Sequence, residues 1–214
     1  RQPIAALHEI SRLIGQWVIH QKNPKASVVS SDVFRAAAEM FWKHDRAWDL
    51  NTHEGKAMAA TQIIDRTIVK DSLGLCDSTW PLMVSGNTPD HLGDATLESR
   101  LFTTVTGIEI DEAELNRYGE RIFNLERLIL LREGRRPKID DAPAEYNFNE
   151  PVQTVFMNPK VQIPGPGEEV LSRKGRVLDK QAYEEMRKEF YTLRGWDPET
   201  GVQKPETLEK LGLT

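Results

Sequence analysis

The chain has 214 residues, 39% hydrophobic and 29% charged, a composition suited to a folded body with a substantial core and too apolar for a disordered segment. Lys and Arg number 28 against 33 Asp and Glu, a net charge of -5, which argues against nucleic acid or an anionic membrane as partner, since both need clustered positive charge. No apolar run approaches the roughly 18 residues of a membrane helix. One cysteine, Cys76, excludes a disulfide framework or a metal cage built from several cysteines of this chain, yet allows one ligand of a shared site. The chain opens at Arg1 with no Met and no charged-then-apolar leader, so the expectation is a cytoplasmic protein and a piece of a longer polypeptide.

Leu7, Ile10, Ile14 and Trp17, flanked by Leu13 and Val18, recur at helical spacing and predict a helix from Pro3 to Gln21. Ser31-Asp32 offers an N-cap for a second helix, Val33 to Trp48, burying Phe34, Ala37, Ala38, Phe41 and Trp42. A third helix is predicted over Lys56 to Leu73, with Ala60, Ile63, Ile64 and Ile68 inward. Gly74 to Gly93 lacks a period and reads as a long loop, a common place for function. Helix resumes from Thr96 to Thr106 and stops at Gly107. Asp111 with Glu114 caps the strongest helix, Glu112 to Glu133, whose buried face is read as Leu115, Ile122, Leu125 and Ile129.

Between Arg135 and Gly175 six prolines forbid long helices, leaving extended chain with room for one short strand. Asp179 then caps a helix through Leu193 with Tyr183, Met186 and Phe190 inward, and a last helix spans Pro205 to Leu211. With no repeat and no strand-helix-strand alternation, the expected fold is all-α. It divides into a helical domain (1–134), a Pro-rich irregular arm (135–178) and carboxyl-terminal helices packing on the same domain (179–214).

His8, His20, His44, His53 and His91 show no metal-site pairing and read as surface or supporting residues. Gly165-Pro166-Gly167 lacks the Lys-Ser/Thr tail of a phosphate loop and reads as a turn. The sharper feature is Asp71-Ser72-Leu73-Gly74-Leu75-Cys76. A thiolate leaving a helix end, beside a glycine that permits close backbone approach, suits iron or a cofactor, although a lone cysteine also serves as a small buried hydrophobe.

Asp71-x-x-Gly74-Leu75-Cys76 resembles the Asp-x-x-Gly-Leu-Cys signature of the aldehyde:ferredoxin oxidoreductase family, the tungsten-bispterin enzymes. Further segments agree in order: Thr106-Gly107, Gly119 to Arg127, Arg132-Glu133-Gly134, Asp140-Asp141, and the tail from Glu189 through Gly195-Trp196-Asp197 to Leu213. The similarity covers roughly Glu54 to Thr214, and the Gly119 to Glu133 block is assigned to packing. The resemblance implies that Cys76 is the fourth thiolate of a [4Fe-4S] cluster and that Asp71 and Leu75 contact a tungstopterin, with molybdenum as the alternative metal. The metal itself would be held by pterin dithiolenes. The three-cysteine group, the second pterin motif and the amino-terminal cofactor domain of such enzymes are absent from this sequence.

The implied partners are therefore an amino-terminal part of the same polypeptide, a ferredoxin or iron-sulfur electron-transfer subunit, and a small aldehyde. The implied reaction is oxidation of the aldehyde to a carboxylic acid, with the fragment inactive alone. None of the five histidines matches the family's proton-transferring histidine, so no catalytic residue is assigned. Asp77-Ser78-Thr79-Trp80-Pro81 and the Pro-rich arm lean toward the bacterial branch that includes the tungsten subunit of class II benzoyl-CoA reductases, which makes reductive dearomatisation of an aryl-CoA the alternative. A cofactor-free all-α interaction module is the alternative of a different class.

Overall fold

A computed structural model describes residues 2–76 and 83–214, with side chains from residue 9 onward in the first helix. The expected contact of Leu7, the side chain of His8 and the segment 77–81 lie outside the described residues. Helix α1 (Gln2–Lys22) buries Leu13, Trp17 and Val18. Helix α2 (Ser31–Trp42) is capped by Ser30, whose side chain accepts from the Val33 N–H, one residue earlier than the expected cap. It also stops six residues before the expected Trp48. Lys43 turns left-handed at φ 57 and donates its N–H to Glu39 O, and Ala47 and Trp48 pack from turns instead. Apolar spacing could not distinguish those turns from another helical turn and a half.

Helix α3 (Lys56–Ser72) lies between two cores. On one side Ala59 and Ile63 join Trp17, Phe34, Phe41 and Trp42 of α1 and α2. On the other, Ile64 joins Phe123, Tyr191 and Trp196, with Ile68 and Phe190 packed against them. Polar edges of the buried tryptophans are answered: Trp17 Nε1 donates to Ser31 Oγ at 3.1 Å and Trp42 Nε1 to the buried Glu9 at 2.9 Å. After residue 83 the chain turns back through a bridge between Val84 and Leu92 into α4 (Leu97–Thr106).

Helix α5 (Glu112–Arg132) starts where Asp111 accepts from the Glu114 N–H at 2.8 Å, as the cap pattern predicts. Of the four residues expected on its buried face, only Leu115 is buried. Leu125 and Ile129 are exposed, Ile122 is half-buried, and the inward positions belong to Leu115, Gly119, Phe123, Asn124 and Arg127. Asn124 and Arg127 are polar side chains taken inward because the tail supplies partners for them, so apolar periodicity alone picked the wrong phase.

The proline-rich stretch forms two single-turn helices, α6 (Pro137–Asp140) and α7 (Tyr146–Asn149). A two-stranded antiparallel hairpin follows, β1 (Gln162–Pro164) with β2 (Val170–Ser172), where one strand was expected. The fold is thus mostly helical, with this small sheet added. Gly165-Pro166-Gly167 belongs to the hairpin turn, as expected, and Arg35 of α2 donates to the carbonyls of Gly165, at 2.8 Å, and Gly167. Helix α8 (Lys180–Leu193) is capped by Asp179, and α9 (Pro205–Lys210) closes the chain.

Candidate functional site around the end of α3

The Asp71–Cys76 segment is the carboxyl-terminal closure of α3. Gly74 adopts φ 71, its N–H donates to Asp71 O at 3.2 Å, and the Leu75 N–H reaches back to Lys70 O at 2.8 Å. This pair of bonds is a Schellman closure, which requires a left-handed residue at the glycine position and satisfies carbonyls that the helix would leave orphaned. A Cβ at Gly74 would meet nothing within 4 Å, so the residue is glycine for its backbone angle and leaves open space on that side. Asp71 and Cys76 are exposed and Leu75 half-buried. The closure therefore leaves a carboxylate and a thiol, five residues apart in sequence, exposed at the end of one helix.

Asp71, Leu75 and Cys76 thus all lie on this one turn of chain. Alone they do not make a metal centre: among the described residues, no three His, Cys, Asp or Glu side chains converge as a ligand set. An exposed thiol fits one corner of an iron-sulfur cluster, whose remaining thiolates other segments have to provide. His20 and His44 are half-buried and bonded to backbone, His20 Nδ1 to Ser27 O at 2.6 Å and His44 Nδ1 accepting from the Arg46 N–H at 3.1 Å.

Residues that sequence reading did not single out hold α3 in place. Arg66 donates through Nε and Nη2 to Glu98 of α4 at 3.0 and 2.8 Å, both side chains buried. Arg194 Nη1 pairs with Asp65 at 2.7 Å and Nη2 bonds Thr61 O at 3.0 Å. Burial pushes the Asp65 carboxyl up to about 6 against the opposing pull of Arg194. Gly119 of α5 lies so close to α3 that a Cβ there would sit 2.3 Å from Asp65 O. Of these, only Gly119 and Arg194 fall in the segments that agree in order with one family; Asp65, Arg66 and Glu98 carried no signal in the sequence.

Three of the segments that agree in order with the family meet around Trp196. Trp196, fully buried, donates from its indole to Asn124 Oδ1 at 2.8 Å, stacks on Phe123 and carries the Arg127 guanidinium 4.3 Å from its ring centroid. Arg127 pairs with Asp141 at 2.7 Å, and Asp141 also accepts from Tyr191 Oη at 2.7 Å. The Gly119–Arg127, Asp140-Asp141 and Gly195-Trp196 blocks thus share one packed cluster, in keeping with the packing role expected of the first of them.

Residues 20–213 match the family described as "Aldehyde ferredoxin oxidoreductase, domains 2 & 3". The chain belongs to the aldehyde ferredoxin oxidoreductase family. A tungsten-containing aldehyde ferredoxin oxidoreductase from Pyrococcus furiosus is 30% identical over 149 residues, which cover 70% of this chain and 20% of that relative. The chain thus aligns with about a fifth of the oxidoreductase it resembles, and the match spans both sides of the Asp71–Cys76 closure. No described helix is long and apolar enough to cross a membrane.

Proposed function

We propose that this chain is the carboxyl-terminal helical portion of a tungstopterin, iron-sulfur oxidoreductase that oxidises aldehydes to carboxylic acids and passes the electrons to a ferredoxin-type acceptor. The observation that carries the reading is the Schellman closure presenting Asp71 and Cys76 together on an exposed helix end, in a chain that matches this family over 20–213. The implied amino-terminal part of the polypeptide would supply the other cluster thiolates and the rest of the pterin site.

In this proposal Cys76 would supply one thiolate to the cluster, and Asp71 and Leu75 would contact the tungstopterin, the carboxylate as an acceptor for pterin N–H groups. When bound, the tungstopterin supplies the two-electron chemistry and the cluster a route out for the electrons. The chain's own work is positional. Two buried ion pairs and the glycine contact fix α3, and the closure sets where the carboxylate and thiol stand. Residues 1–134 are proposed as the unit bearing the motif, with 135–178 as an arm over it and 179–214 as its packing partner.

The test is metal analysis and low-temperature paramagnetic resonance on the intact protein, purified without oxygen, beside Cys76→Ser. Tungsten and about four iron atoms per chain are expected in the parent, and the serine variant should lose or alter the cluster signal because a hydroxyl is the poorer iron ligand. Iron content and spectrum unchanged by the substitution would remove Cys76 from the cluster.

A further inference from the structure

A chamber of about 320 Å³ lies between the first turns of α3 and one face of α8. Ala57, Ala60, Ile64, Pro143, Met186 and Phe190 form its apolar walls. Helix rise puts Ala57 roughly 20 Å along α3 from Asp71, so the chamber is separate from the cysteine closure. Its volume exceeds that left by one missing side chain and falls in the range of small-molecule sites.

The polar groups on its rim decide the ligand class, because their hydrogen bonds go to other protein groups; Asp140, also on the rim, accepts from the Arg136 N–H at 2.6 Å. Asp141 accepts from Arg135 at 2.7 Å and from Tyr191 at 2.7 Å, and pairs with Arg127. Tyr183 Oη donates to Asp141 O at 2.8 Å. Lys56 Nζ is engaged by the carbonyls of Ala47 and Asp49 at 2.9 and 2.8 Å. Arg187 bonds Lys138 O at 3.1 Å and pairs with Glu184. The Nε atoms of Arg127 and Arg187 have no acceptor among the described residues, but both are sealed from solvent and thus from anything occupying the chamber. A carboxylate placed there would lose hydration without gaining donors, which is unfavourable, whereas an apolar body loses only water contacts that are unfavourable to begin with.

We infer that this chamber is a binding site for a neutral, largely apolar molecule of roughly six to ten heavy atoms, a single aromatic ring or a short branched chain. Such a ligand would bridge α3 and α8.

Calorimetric titration of the intact protein with benzyl alcohol and with benzoate tests this, alongside Ala60→Phe and Met186→Phe, each of which places a ring in the space. Saturable binding of benzyl alcohol at least tenfold tighter than benzoate is expected, weakened at least tenfold by each variant whose unliganded melting temperature stays within a few degrees of the parent's. Absence of saturable binding, equal or tighter binding of benzoate, or affinity that survives in a folded variant would each overturn the inference. Because iron and tungsten are not read in this titration, its failure leaves the cluster assignment to its own test.

Discussion

Gly74 and Gly119 are both small for physical reasons, and the reasons are opposite. Gly74 has room for a side chain but needs φ 71, while Gly119 sits in helical backbone with no room at all. Gly119→Ala should gain about 1 kcal/mol of helix propensity. Against this, the new Cβ would stand 2.3 Å from a backbone carbonyl that cannot swing aside like a side-chain tip, and overpacking of that kind costs about 1–3 kcal/mol. The clash should win because relief requires moving α5 off α3, so the variant is expected to be less stable by up to about 2 kcal/mol in urea denaturation. A raised urea midpoint would show that the two helices do not approach this closely.

Elements that announce themselves by caps were legible before any coordinates: Asp111 and Asp179 start α5 and α8 as expected. Faces were harder. Leu125 and Ile129 complete a convincing apolar stripe and yet are exposed, while Arg127 and Asn124 go inward. A buried arginine becomes intelligible only with Asp141 and Trp196 beside it, and those lie 14 and 69 residues further along. The site showed the same division. Asp71, Gly74 and Cys76 share one short motif and could be read locally, but Arg66, Glu98 and Arg194, which hold α3 in place, are ordinary charged residues until their partners are known. Glu98→Gln should show their weight. It leaves the Arg66 guanidinium buried against an uncharged partner, a change expected to cost about 3–5 kcal/mol in denaturant titration. A cost below about 1 kcal/mol would place this pair with surface ion pairs.

Across the whole molecule, Asp141 should carry the largest share of the acid sensitivity, because the other carboxyls held below their ordinary values, Asp94, Asp140, Asp197 and Glu199, lie at or near the surface, where solvent screens them. Burial works to raise its pKa, but hydrogen bonds from Arg127 and Tyr191, with the charge of Arg127, outweigh it and hold the carboxyl below its ordinary value of 3.8. A carboxylate with a depressed folded pKa stabilises the fold above the unfolded value, near pH 4, and loses that contribution as pH falls through the folded value. The stability profile from pH 7 to pH 2 should therefore steepen below about pH 4. Asp141→Asn should lose about 2–4 kcal/mol at pH 7 and descend less steeply in acid. Parallel profiles for the parent and variant would assign the acid limb to other carboxylates.

Ile63 and Ile64 are adjacent in the chain but belong to different cores. They are about 100° apart around the helix axis. One residue inserted upstream within α3 would rotate every later position by that angle, turn each isoleucine away from its own core, and carry Asp71 and Cys76 off the side they now occupy. The number of residues in α3 is therefore as constrained as their identity. Length variation in this protein has to be taken up in segments such as 43–55 and 141–161, where turns and single-turn helices can absorb an extra residue without setting anything downstream out of phase.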